Sequence, residues 1–246
     1  MKRINIDGYI IDEQDRWVYD LFEVPYVTLG KLRAFLFDAK DSDIELVINC
    51  FGGDVWTAAT AYDELRNYKG NSTARVAGVS ASASSFLMLG CNKVVASPMA
   101  SIMIHNSQTH AEGDYRAMEH AAEVLRSINN TIINAYEIKT GKSRDELQKY
   151  MDDETWLTAQ DALELGIIDE ILLKDGEKLS EIKASAVVSS RIAACFNPLK
   201  MHAIAAQLHP PDDSGDVSRP VSDSQKDQFR SIRNKILSAY EEGKTR

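Results

Sequence analysis

Cysteine is scarce: there are three, at positions 50, 91 and 195, in 246 residues. Their spacing fits neither a metal-ligand set nor a disulfide framework, so the expectation is a reduced cytoplasmic protein with no metal and no cofactor. Basic charge is also short. With 28 Lys and Arg against 37 Asp and Glu, the net charge is −9, which excludes a nucleic-acid partner because phosphate binding needs a basic face. No run approaches the roughly 18 apolar residues of a membrane span, so no membrane partner is expected. The opening Met1-Lys2-Arg3-Ile4-Asn5-Ile6 is basic and then apolar, but Asp7 and Gly8 end it far short of a secretory core.

What remains is the alternation of an α/β fold. Strand-like runs occur near Arg3 to Ile6, Ile44 to Ile48, Ala74 to Ala77, Lys93 to Ala96 and Ala100 to Ile104. Helical patterns near Val27 to Ala39, Val55 to Arg66 and Ser82 to Gly90 separate them, which predicts stacked βαβ units. The longest helical pattern is Asp114 to Thr140, with Met118, Ala121, Leu125, Ile128, Ile132 and Ala135 on one face. Such a helix either packs on its own core or projects from it. Gly141 as a C-cap and Ser143 as a fresh N-cap fit a projecting hairpin.

After Leu173 the chain changes character. Residues 1 to 174 hold 27 acids and 17 bases, net −10, whereas residues 175 to 246 hold 10 acids and 11 bases, net +1. The expected organisation is one domain over 1–174, a polar linker over 175–223 containing His209-Pro210-Pro211, and a tail over 224–246. In the tail, Phe229, Ile232, Ile236 and Tyr240 share a helical face. That tail is either disordered or a partner-docking or self-processing element.

Chemistry concentrates at Gly78-Val79-Ser80-Ala81-Ser82-Ala83-Ser84-Ser85-Phe86-Leu87, a serine cluster opening an apolar helix. A helix start offers unpaired N–H groups, so a serine there sits beside donors suited to an oxyanion, although serines also serve merely as caps. Twenty-three residues on, His105 closes the apolar run Ala100 to Ile104 and is a candidate base. Upstream, Asn49-Cys50-Phe51-Gly52-Gly53-Asp54-Val55 lies between a strand and a helix. The twin glycines suit either a loop that presents bare amides or a tight turn.

Taken in order, Asn-x-x-Gly-Gly-x-Val, Gly-x-x-Ala-Ser-x-x-x-Phe-Leu, Met-Ile-His and Trp-Leu-Thr-Ala-x-x-Ala-x-x-x-Gly-Ile-Ile-Asp resemble the ClpP peptidase family, from about Ile4 to Leu172. The resemblance implies a ClpP/crotonase-like spiral of βαβ units, with the long helix as a projecting handle through which rings meet. It implies a serine endopeptidase acting on polypeptides as a homo-oligomeric ring. Ser82 falls on the family's nucleophile and His105 on its general base. Gly52, Gly53 and Ala83 fall on the oxyanion-hole segments. The family's third triad member, two residues before the aromatic of Trp156-Leu157-Thr158-Ala159, falls on Glu154, with Asp153 or Asp152 as alternatives. Either carboxylate type can hold an imidazole tautomer and support its cation.

Departures from the pattern carry further expectations. The family's proline in the oxyanion turn is Phe51 here, which should loosen that turn. Its glycine-rich substrate-lining strand is replaced by Ser107-Gln108-Thr109-His110-Ala111-Glu112-Gly113. The first strand starts almost at once, without the extended axial segment that contacts an unfoldase. The Glu-Thr-Trp segment and polar tail resemble the ClpP-related proteases of phage and prophage head genes. That resemblance implies ATP-independent cleavage of scaffold or capsid segments, in the host cytoplasm or an immature head. The alternatives are a bacterial ClpP paralogue working with an AAA+ unfoldase, a crotonase-type acyl-CoA enzyme, and a noncatalytic ring or assembly subunit.

Overall fold

The five runs expected as strands all form strands, and most extend beyond their apolar centres. The computed structural model describes residues 1–174 and, beyond them, only Asp227 and Ser231. Those two positions apart, the expected linker and tail, and Cys195 with them, lie outside the described residues. The strands are β1 (Lys2–Ile10), β2 (Tyr26–Val27), β3 (Ile44–Gly53), β4 (Ser72–Ala81), β5 (Lys93–Ala96), β6 (Ser101–Ile104), β7 (Thr155–Thr158) and β8 (Glu170–Ile171). The helices are α1 (Arg16–Phe22), α2 (Leu29–Ala39), α3 (Val55–Arg66), α4 (Ala83–Leu87), α5 (Tyr115–Thr140), α6 (Arg144–Asp152) and α7 (Ala159–Leu165).

One sheet runs β2-β1-β3-β4-β5-β8, with β6 pairing β4 and β7 off that path. All pairings are parallel except β6 with β7. Parallel strands covered on both faces need near-continuous apolar sequence. Leu46, Ile48, Ala74, Val76, Val94, Ile102 and Ile104 accordingly sit fully buried in one core. This is the α/β architecture expected of a ClpP/crotonase-like spiral.

Strand β4 changes neighbours partway. Its first half pairs with β5 and its last three residues, Val79 to Ala81, pair with β6. The register with β3 shifts between Ile48 and Cys50 at the same place. At the shift the Asn49 side chain bridges the two strands, its Oδ1 accepting from the Val79 N–H at 3.3 Å.

Two expected helix starts move. Tyr26 and Val27 are strand, paired with Tyr9 and Ile10, and α2 begins only after Thr28, whose side chain accepts from the Lys31 N–H. The apolar pattern there joins an edge strand to a helix, and the capping threonine marks the boundary. Ser82 likewise stands outside α4, which runs from Ala83 to Leu87 and continues as a 3-10 turn to Gly90.

The long helix divides. Toward its C-terminus Ile132, Ile133, Ala135 and Tyr136 are buried, whereas no residue from Tyr115 to Thr131 is. The first half therefore projects as a handle, with Met118 and Val124 exposed. Of the expected apolar face, Ile132 and Ala135 belong to the chain's own core. Gly141 ends α5 in the left-handed region (φ 67°), and the Ser143 side chain caps α6 by accepting from the Glu146 N–H.

Candidate active site

The sheet registers bring the expected residues together. Strands β4 and β6 are parallel, with Ala81 opposite Met103, so Ser82 and His105 both emerge at the C-terminal ends of neighbouring strands. Strands β6 and β7 are antiparallel, with Ile104 opposite Thr155. One step further along that register sets His105 against Glu154. Strand β3 approaches from the other side, with Cys50 opposite Ser80, which carries Gly52 to Ser82.

Ser82 occupies a sharp strand-to-helix turn, with φ 55° and ψ −129°. A non-glycine residue with positive φ is strained by about 1–3 kcal/mol and persists only where its surroundings hold it. They do so here. The Ser82 N–H donates to the Met103 carbonyl at 2.9 Å, and the Ser82 carbonyl accepts from the Ser85 N–H at 2.9 Å and also from the Ser85 hydroxyl. The Ser82 side chain makes no capping bond. Its Oγ instead lies 2.7 Å from His105 Nε2.

The neighbouring serines are spent on structure. Ser80 and Ser84, both fully buried, share a hydrogen bond at 3.0 Å. The Ser85 hydroxyl also meets the buried Tyr136 hydroxyl at 2.7 Å, tying α4 to α5. Cysteine offers no rival nucleophile among the described residues. Burial pushes the Cys50 thiol up to about 11 and the Cys91 thiol to about 12, so both stay protonated near neutrality.

His105 is half-buried. Desolvation holds its pKa below the ordinary imidazole value, and the Glu154 carboxylate pulls in the opposite direction. Burial outweighs the carboxylate, so the ring is neutral at neutral pH and able to accept a proton. Of the three acidic residues 152 to 154, only Glu154 acts electrostatically on the ring. Glu154 is itself at positive φ, 46°, in a turn fixed by Glu154 N–H donating to the Met151 carbonyl and Thr155 Oγ1 donating to the Tyr150 carbonyl. Asp153 caps α6. Asp152 points elsewhere, accepting from Asn106 Nδ2 and Gln148 Nε2 at 2.8 Å each; those two bonds lower its pKa.

The two glycines have separate reasons to be glycine. At Gly52 (φ 89°) a Cβ would come within 2.6 Å of the Ala81 carbonyl oxygen and Ser82 Cβ, and within 2.8 Å of Ala83 N. At Gly53 (φ 146°) a Cβ would meet the Ile10 carbonyl oxygen at 2.0 Å. Bare backbone is thus packed directly against the serine turn. The Gly52 N–H donates to Cys50 Sγ at 3.4 Å. Ala83 opens α4, so its N–H has no acceptor within the helix.

Phe51, which stands where the family has proline, packs against a second apolar cluster of Tyr9, Ile11, Val18 and Tyr19. Its ring lies 5.9 Å from that of Tyr9. Helix α1 and β2, which supply much of that cluster, carry no catalytic signature, and only an edge-strand pattern at Tyr26–Val27 hints at them. Residues 105–112 form neither helix nor strand, so the segment standing in place of the family's substrate-lining strand is irregular as far as Glu112. A cavity of about 830 Å³ lined by Arg16, Tyr19, Asp20, Tyr26 and Lys31 contains neither Ser82 nor His105.

Among the described residues no helix is long and apolar enough to cross a membrane, and no group of three or more His, Cys, Asp or Glu side chains is placed to hold a metal ion. A serine hydroxyl in hydrogen-bond contact with a neutral imidazole, beside helix-start amides, is an arrangement suited to acyl transfer. Residues 29–175, more than half of the chain, match the family model described as Clp protease, and the chain belongs to that family of serine peptidases.

Proposed function

We propose that this chain is an ATP-independent endopeptidase working by Ser82–His105–Glu154 acyl transfer. The observation that carries the reading is the 2.7 Å contact between Ser82 Oγ and His105 Nε2 at a strained turn whose hydroxyl serves no cap. Neutral His105 takes the Ser82 proton as the hydroxyl attacks a peptide carbonyl, and the resulting imidazolium is stabilised by Glu154. The imidazolium then gives its proton to the leaving amine. Water, deprotonated in turn by His105, hydrolyses the acyl-enzyme. The amides near Gly52, Gly53 and Ala83 hold the oxyanion, and the bare backbone at Gly52 leaves room beside Ser82. Asp153, which caps α6, is the alternative third member.

The substrate class proposed is scaffold or capsid protein of a phage or prophage head, supported by the Glu154-Thr155-Trp156 segment and its resemblance to head-maturation proteases. Assembly as a homo-oligomeric ring is supported by the projecting half of α5, which leaves Met118 and Val124 exposed. Fluorophosphonate labelling tests the chemistry, because only an activated serine reacts. Labelling confined to Ser82 is expected; an unlabelled protein makes the chain a noncatalytic subunit. Purifying the chain with its neighbouring gene products and sequencing the cleaved peptides tests the substrate. Capsid or scaffold fragments are expected, and cleavage only in the presence of an ATP-driven unfoldase would overturn ATP independence.

A further inference from the structure

The β6–β7 ladder ends at Ile104 opposite Thr155. His105 therefore stands one residue beyond the last paired position, at the mouth of a stretch without regular structure whose residues Gln108 to His110 are exposed. A side chain at such a frayed end has no reason to stay within 2.7 Å of its partner unless something holds the chain just after it. Two groups do.

Asn106 is gripped from α6. Its Nδ2 donates to Asp152 Oδ1 at 2.8 Å, while Gln148 Nε2 donates to both Asn106 Oδ1 at 3.1 Å and Asp152 Oδ1 at 2.8 Å, closing a three-membered polar ring. Ser107 is gripped from α5. Asn129 Oδ1 accepts from the Ser107 N–H at 2.8 Å and the Ser107 hydroxyl at 2.7 Å. The same hydroxyl also approaches the Leu125 carbonyl oxygen at 3.4 Å. Asn129 and Leu125 lie where α5 leaves the core, so the second grip is anchored on the root of the handle.

We propose that Asn129 and Gln148 are positioning residues that hold His105 over Ser82 by clamping the two residues after it to α5 and α6. The proposal rests on the Ser82–His105 reading of the site. Neither residue touches the imidazole or Ser82 in the contacts given above; each acts through the backbone of the 105–107 segment. Small displacements of a catalytic group are expensive, about 10²-fold for 1 Å. Loss of one grip should therefore slow reaction without weakening binding.

The test uses the full chain and a fluorophosphonate probe, measuring the maximal labelling rate and the half-saturating probe concentration separately. Asn129→Leu removes the acceptor and should lower the maximal rate by about tenfold to a hundredfold at unchanged half-saturation. Asn129→Asp keeps an oxygen acceptor and should restore the rate. Gln148→Met, acting from the other side, should slow labelling similarly, which keeps the test open if Asn129→Leu fails to fold. Wild-type labelling rates in folded Asn129→Leu and Gln148→Met would overturn the clamp, as would an Asn129→Asp rate as low as that of Asn129→Leu. Label on any residue other than Ser82 would instead overturn the acyl-transfer reading beneath it.

Discussion

Ser82 and His105 reach the same hydrogen bond from opposite circumstances. Ser82 is set by backbone: a strained turn, flanked by buried Ala81 and Ala83, pinned by the Met103 carbonyl and the Ser85 amide, with Gly52 pressed against it. His105 and Glu154 sit past the last pair of a short two-stranded ladder and depend on side chains and a turn to stay in place. Ser82, the proposed nucleophile, is thus built into the core. His105 and Glu154, the proposed base and its carboxylate, are attached to it, and small polar changes should disturb them far more easily.

The largest expected effect separates the serine turn's chemistry from its packing. Ser82→Ala should lower turnover by about 10⁶, as loss of a nucleophile does, and leave the melting temperature nearly unchanged because the hydroxyl makes no cap. Ser84→Ala should do the reverse, costing about 1 kcal/mol of stability through the lost Ser80 bond while retaining turnover. Kinetics and thermal melts on both variants decide. Inactivity from Ser84→Ala alone would mean the turn has been assigned to the wrong serine.

The attached side of the site should respond next. Glu154→Gln keeps size and loses charge, so turnover should fall by about 10⁴, whereas Asp153→Asn should cost little. The pH profile gives a second readout. Because burial lowers the His105 pKa, the acid limb of kcat/KM should lie below about 6.5. Glu154 raises that pKa, so Glu154→Gln should move the limb to still lower pH. The stability arising from neutral His105 follows the same sign, being fully present above the ordinary imidazole pKa and lost as pH falls toward the lowered folded value. Equal losses from both variants with no shift in the limb would detach Glu154 from the imidazole.

Glycine gives the smallest contrast. Gly52→Ala forces a Cβ against Ser82 and the Ala81 carbonyl at φ 89°, so it should cost more than about 1 kcal/mol and impair turnover. Gly141→Ala, at φ 67° with nothing within 4 Å, should cost only about 1 kcal/mol and leave turnover alone. Matching losses in urea titrations would show that contact at Gly52 adds nothing to its backbone strain.

Legibility followed the same division. Buried parallel strands need continuous apolar sequence, so β3 to β6 could be found from composition alone, and Val55 to Arg66 emerged with its bounds intact. Helix α1 and β2 were missed because they form a satellite cluster whose aromatic residues follow neither strand nor helix period. The surroundings of Phe51 were illegible for a related reason: the loss of a proline is visible in the chain, but the Tyr9 ring that packs against Phe51 is contributed from about forty residues away.

By itself the sequence determined the central strands β3 to β6 with helices α3 and α5, the glycines at the serine turn and the family motifs, because each is a local matter of periodicity, backbone freedom or residue type. Motif order had singled out Ser82 and Glu154; tertiary structure showed what sets them apart, since Ser80, Ser84 and Ser85 are hydrogen-bonded within the fold while Ser82 sits at positive φ with its hydroxyl on His105. The antiparallel register of β6 and β7 sets Glu154 across from His105, and the fold supplied Asn129 and Gln148. Register and side-chain pairing join residues twenty to fifty positions apart, and no local pattern specifies which distant partner closes a hydrogen bond.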